Sequence, residues 1–418
     1  MKKVLSLFLS LCIVLSMAFV GTITVAAADT TIGTYDELVA FATALNADDT
    51  GMSGKTVELS ADIVVNASGD FNALTATEAP AKVWASITQA FKGTFDGKGY
   101  TISGLWINGT GFFNDINGAT IQNVTFLNCY VNNAASSADG NGTGIVAGDA
   151  VGGTNTFTSV TVDGCRAMGL GHQIGGLLGG SVSGATVSMT SCTNSNGKVC
   201  DNQGGTSLVG GLIGQSKGAV ALTDCTVTSE ISARKANNAN YMSGGLVGRM
   251  SGNGSTISGC SVNATIYGTC MAGGLAGQNQ ASVTATNCTV AGTITTGDSE
   301  STQTCNSRVG GFFGMSTGSV TVSGTANSNS ATLTAYPMSG YAAQAGGIVS
   351  IMTQPLSVQN FTNSGTIIGA NFAAGVIGYK YYGTNMFSEA TARSTASHGR
   401  ILSRSTTRLW WTARPARW

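Results

Sequence analysis

Two histidines, His172 and His398, are all that the 418 residues contain, and that scarcity removes most hydrolytic chemistry at the outset. A Ser-His-Asp triad, an HExxH zinc helix and an imidazole acid/base pair each need a histidine within reach of a partner. His172 lies in Gly169-Leu170-Gly171-His172-Gln173 with no nucleophile or base beside it, as a solvated loop residue would. Carboxylate chemistry remains: paired Asp or Glu side chains on one sheet act as acid and base on a glycosidic bond, or hold calcium for a lyase. The candidates by position are Asp139, Asp149, Asp163, Asp201 and Asp224. They do not recur at one place in successive repeats, and Asp139-Gly140 and Asp163-Gly164 have the form of turns. The sequence therefore designates no catalytic, cofactor-binding or metal-binding residue and implies no cofactor.

Sulfur is the other reactive element. Beyond Cys12 the chain carries nine cysteines, an odd number. Cys192, Cys225, Cys260 and Cys288 lie 14 to 16 residues after a recurrent glycine, and Cys129 lies 18 after Gly111. The same slot in the last repeats holds Thr325 and Phe361, and a slot that accepts Cys, Thr or Phe is a packing slot. A ladder of free, buried thiols is expected there, with a disulfide ladder as the rival. Cys200, Cys270 and Cys305 sit in variable segments, where any disulfide is expected. No CxxC and no histidine at ligand spacing supports a metal site. The aromatics Trp84, Trp106, Tyr130, Tyr241, Tyr267, Tyr336, Tyr341 and Tyr379 to Tyr382 could form platforms for sugars or proteins, although packing at corners and ends is the expectation.

The elements that must position these groups repeat. A glycine-framed apolar pentad returns as GIVAG (Gly144–Gly148), GGLLG (Gly175–Gly179), GGLIG (Gly210–Gly214), GGLVG (Gly244–Gly248), GGLAG (Gly273–Gly277) and GGFFG (Gly310–Gly314). Degraded copies follow at Gly346–Ser350 and Ala374–Gly378. The second glycine moves through 144, 176, 211, 245, 274, 311, 347 and 375, a period of roughly 30 to 36 residues, which is the mark of a solenoid. Between pentads the chain is broken every few residues by Gly, Asn, Ser and Thr, which excludes helical repeats and reads as three short strands per coil. Stacked coils would form long parallel sheets round an apolar interior. In Phe91–Leu105 the pair Asp96-Gly97 signals a turn with positive φ at Gly97 and the Asp96 carboxylate on its own turn backbone.

Both termini differ from this pattern. Lys2 and Lys3 precede an apolar run to Val25, and Ala26-Ala27-Ala28 offers a signal-peptidase site, so residues 1–28 read as a signal peptide. Leu11 stands where a lipobox before Cys12 would need a small residue. Over Tyr35–Ala47, Leu38, Val39, Phe41, Ala42 and Leu45 fall at helical spacing behind Thr34 as N-cap, a short helix expected to cover the solenoid end. From Ala392 the language changes: six arginines occur within 26 residues where the preceding 391 hold four, and Trp410, Trp411 and Trp418 crowd the end. Pattern, propensity and charge break together, as out-of-frame sequence would make them.

The block Phe91–Leu105, Gly111-Phe112-Phe113 with Gly118–Val124, and the recurrent Gly-Gly-Leu-x-Gly units resemble the GLUG-repeat surface proteins of Gram-positive gut bacteria. These are similar to pectate-lyase-like right-handed β-helices, and the repeat also occurs in immunoglobulin A-cleaving metallopeptidases, whose zinc-binding helix this chain lacks. The resemblance covers about Gly33 to Tyr382 and implies a fold and an exposed bacterial location, not a reaction. The expected architecture is all-β: a right-handed parallel β-helix with a short N-terminal α-helical cap. It comprises a signal peptide (1–28), cap and first coils (29–105), repeat β-helix (106–385) and an atypical basic tail (386–418). Charged residues make up 10% of the chain and balance to zero, which supplies no field for nucleic acid or anionic lipid. The expected function is a secreted or cell-surface, non-catalytic scaffold that binds extracellular glycans or host proteins, without membrane insertion after signal removal. A polysaccharide lyase or glycoside hydrolase is the alternative.

Overall fold

The computed structural model describes residues 28–134, 142–170, 173–201, 207–233, 241–297, 305–338 and 340–380, with the backbone of 387–388 and 392–394. Among the described residues the chain is all-β apart from one helix, and its strands pair in parallel, each with its counterpart one coil along. The result is a parallel β-solenoid. No helix among the described residues is long and apolar enough to cross a membrane. Residues 1–27 of the expected signal peptide, His172, His398 and the tail tryptophans lie outside the described residues. Phe387–Ser388 and Ala392–Ser394 pair with Leu356–Ser357 and Phe361–Asn363 and so continue the stack.

A coil has five strand segments rather than the three expected. One runs Leu208–Gly210, Ile213–Ser216, Val220–Thr223, Thr226–Val227 and Glu230–Ala233. The pentad is divided between the first two segments, with Gly211 and Leu212 at the bend. A straight strand alternates its side chains between faces, so two adjacent aliphatics can both point inward only where the chain turns. Leu212 and Ile213 do so, both with 0% exposure. Hydrogen bonds to the next coil continue through the bend, from Gly211 N to Gly244 O (3.1 Å) and from Leu212 N to Leu246 O (2.9 Å). Two inward ladders result: Val146, Leu177, Leu212, Leu246, Leu275 and Phe312 in one, and Ala147, Leu178, Ile213, Val247, Ala276 and Phe313 in the other. The register sets Ala147 beside Leu178, which corrects the repeat count by one residue: Gly144 matches Gly175, and Ile145 stands where later coils have their second glycine.

The pentad glycines are absent from the positive-φ residues, so close approach explains them. A Cβ on Gly245 would lie 1.9 Å from Gly274 O, and one on Gly248 would lie 2.4 Å from Gly214 O. The turn at Asp96-Gly97 also differs from expectation. Positive φ falls on Lys98 (52°) and Gly99 (88°), while Gly97 is needed because a Cβ would meet Asn123 O at 2.4 Å. The Asp96 carboxylate does accept from its own turn, from Lys98 N at 2.8 Å.

Helix α1 runs Tyr35–Asn46, with Thr34 Oγ1 accepting from Glu37 N at 3.2 Å and Glu37 Oε2 accepting from Gly33 N at 2.7 Å. Its Leu38, Phe41 and Leu45 are buried, and Phe41 packs edge-on to Phe91 and Phe113. Val39, placed on the same face by spacing, is 40% exposed.

Candidate functional site

Chemistry concentrates on the outer side of the pentad bend. Two residues past the second inward aliphatic, one position per coil faces back across the bend: Asp115, Asp149, Gly180, Gln215 and Arg249 in register. The two halves of the pentad fold so closely that these outward side chains are themselves covered. Asp149 is 3% exposed and Gln215 1%, and Gln173 lies so near Gly180 that a Cβ there would overlap its amide. Gln215, with its amide oriented to suit both neighbours, accepts from Arg249 Nε at 2.9 Å.

Asp115 and Asp149 are neighbours on this row, so two carboxylates do recur at one place in successive coils, contrary to expectation. Their strands are about 4.8 Å apart. Gly142 N donates to Asp149 Oδ2 at 2.8 Å, and Asn114 Nδ2 donates to Asp115 Oδ2 at 3.1 Å. Burial pushes the Asp149 carboxyl up to about 6; the neighbouring Asp115 adds to the rise, and the Gly142 hydrogen bond opposes it. Burial likewise raises Asp115. Asp149 was among the sequence candidates and Asp115 was not. The signal was present, since aligning Gly111-Phe112-Phe113 as a pentad sets Asp115 two residues after Phe113, as Asp149 follows Ala147.

The other candidates are not brought together. Asp163 Oδ1 accepts from Ser195 Oγ and Asn196 Nδ2 of the next coil, both at 2.8 Å, and so ties two coils. Asp224 occupies a corner at φ 52°. Asp139 and the Asp201 side chain lie outside the described residues. No group of three or more His, Cys, Asp or Glu that could hold a metal occurs among the described residues.

The cysteines divide between two corners. Cys192, Cys225, Cys260 and Cys288 form one inward row, each following a residue of positive φ: Ser191, Asp224, Gly259 and Asn287. Register continues this row upstream to Val160, not to Cys129, and downstream to Asn327 and Phe361, not to Thr325. Cys129 pairs instead with Cys165 at the following corner, where Cys129 N donates to Cys165 Sγ at 3.1 Å. The offset arose because strand length between the corners varies, which a count from the glycine does not see. All of these thiols are buried and outside any disulfide, as is Cys200. Burial raises Cys288 to about 11 and raises Cys165 as well, so they stay neutral and unreactive. Cys270 and Cys305 are joined in a disulfide beside Leu208, Met242, Met271 and Met338.

Aromatic residues mostly pack. Trp84 stacks on Phe112 at 4.9 Å, Trp106 meets Phe71 and Tyr130, and Tyr241 is 1% exposed. Tyr336 and Tyr341 are exposed; Tyr381 and Tyr382 lie outside the described residues.

One outer face was not anticipated. On the third segment of the coil, Val220–Thr223 and its counterparts, two outward positions per coil form rows along the stack. The first runs Thr156, Ser188, Ala221, Thr256, Thr284, Thr321. The second runs Thr158, Thr190, Thr223, Ser258, Thr286, Ser323. All are exposed or half-buried and none is charged. Hydroxyls bond between coils, Thr286 with Ser323 at 2.9 Å and, just before the rows, Thr186 with Thr154 at 3.0 Å.

No family model matches the chain. No curated protein matches it. Among solved structures it is similar to a Bacteroides ovatus protein described as a "putative immunoglobulin A1 protease", at 18% identity and a TM-score of 0.45, over 70% of this chain and 76% of that one. A likeness that distant passes on neither activity nor site.

Proposed function

We propose that this chain is an exported, secreted or cell-surface scaffold: a right-handed β-helix, closed at its first coil by α1, that binds extracellular glycans or host proteins without transforming them. The handedness follows from the strong preference of parallel crossovers. The closing role of α1 follows from its apolar face packing on the first phenylalanines, where an open solenoid end would otherwise meet water. The observation that carries the reading is the uncharged, in-register hydroxyl strip, a regular surface with no titrating group on it. A glycan and host-protein array probed with the purified chain tests it, with binding expected and no fragment released.

A second reading has its own support. Asp115 and Asp149 stand on adjacent coils, Asp149 raised to about 6 and Asp115 raised by burial as well, and a pair of carboxyls is what glycosidic cleavage uses. Against it, a carboxyl 3% exposed presents almost no surface to a sugar. Release of reducing or unsaturated ends from any polysaccharide, lost in Asp149→Asn, would establish this reading and overturn the first.

A further inference from the structure

We infer that the hydroxyl strip is the binding face, and that its ligand is a neutral, extended linear polysaccharide lying along the solenoid axis; this rests on the binding function proposed above and specifies its site and ligand class. The rows repeat at the coil spacing of about 4.8 Å, and residues i and i+2 of each strand set them about 6.6 Å apart. Every position except Ala221 offers the same group, a hydroxyl that both donates and accepts. A surface periodic along one axis selects a ligand periodic along that axis, and an extended 1,4-linked pyranose chain advances by about one coil per sugar.

Charge narrows the class. From Thr156 to Ser323 neither row carries an ionisable side chain, so uronates, sulfated glycans and acidic or basic peptides find no countercharge. A neutral chain brings hydroxyls to hydroxyls and its C–H faces to threonine methyls. One such hydrogen bond contributes little net affinity, because it replaces bonds to water, so affinity must come from repetition along one chain. The strip is ordered in advance: threonine is stiff at χ1, and the Thr286–Ser323 bond fixes rotors across coils. The row at the pentad bend changes residue type from coil to coil, and its Asp149 and Gln215 are closed to solvent.

The test uses the full chain with cello-oligosaccharides and manno-oligosaccharides of increasing length, the corresponding neutral polymers, and polygalacturonate as the charged comparison. Affinity should rise steeply with oligomer length until the strip is spanned, should not change between low and high salt, and should be absent for polygalacturonate. Thr223→Lys with Thr286→Lys places two charged stems on the exposed face; an unchanged melting temperature shows that folding is retained, and binding should fall about tenfold or more. Neutral-glycan binding undiminished in the lysine pair overturns the inference while leaving the binding function standing, with the site in a loop or at Tyr336 and Tyr341. Binding only to polygalacturonate or to proteins overturns it as well, and so does a dimer of the chain that the lysine pair dissolves. Failure to bind anything on the array removes both.

Discussion

The pentad bend and the cysteine corner lie in the same coils, yet they tolerate change in opposite ways. At the bend, the second glycine of each coil approaches the carbonyl oxygen of the next, 2.1 Å from a notional Cβ for Gly211 and 1.9 Å for Gly245. No side chain fits between two backbones at that distance, and glycine recurs at 176, 211, 245, 274, 311 and 347, with Ile145 in its place only in the coil before them. At the corner, the row passes through Val160, Cys192, Cys225, Cys260, Cys288, Asn327 and Phe361, because the slot faces other side chains, which repack. Backbone contact dictates identity, whereas side-chain contact dictates only volume and polarity.

The largest effect expected from this contrast is at the bend. Gly245→Ala, in the middle of the stack with glycine on both neighbouring rungs, should cost about 3 kcal/mol or more, seen as a large loss in chemical denaturation midpoint or as failure to fold. A fall of under about 1 kcal/mol would show that the coils can part there. Next comes the disulfide: Cys270–Cys305 closes 35 residues, and its reduction should lower stability by up to about 4 kcal/mol on loop-closure grounds, measured by melting with and without reductant. At the corner, Cys225→Val should cost less than about 1.5 kcal/mol, since Val already occupies the row at Val160.

Asp149 supplies the pH dependence. Its carboxyl is raised to about 6, so the fold binds that proton more tightly than the unfolded chain does. The stability it contributes is complete below about pH 4 and is lost as pH climbs through 6, on the order of 2–3 kcal/mol in all. Asp149→Asn keeps an acceptor for Gly142 N and should flatten the denaturation midpoint between pH 4 and 7, raising it at neutral pH. A midpoint that falls at neutral pH would mean the carboxylate is stabilised by a partner. The smallest effect is outside: Thr256→Ala should change stability by no more than about 0.5 kcal/mol.

The same contrast explains what the sequence could disclose. The solenoid was legible because a steric requirement forces glycine to return, and α1 because Thr34 and the spacing of Leu38, Phe41 and Leu45 agree. The location of the disulfide was legible in part, since Cys270 and Cys305 stood outside the interior slots. The place of Cys129 was misread because corner spacing varies by a few residues while the register does not. The pairing of Asp115 with Asp149 was missed because it exists only across coils, between residues 34 apart whose pentads look unlike. The hydroxyl strip escaped for a similar reason: threonine is common in any strand, and only register turns scattered threonines into rows.

Everything depends on coils stacked in register, and engineered cross-links test that most directly. Thr190 and Thr223 are outward partners in adjacent coils, so Thr190→Cys with Thr223→Cys should form an intramolecular disulfide under mild oxidation, the native thiols being buried. Thr190→Cys with Ser258→Cys, two coils apart at about 10 Å, should remain reduced under the same conditions. Equal cross-linking of the two pairs, or a link in the distant pair alone, would contradict the stacked arrangement.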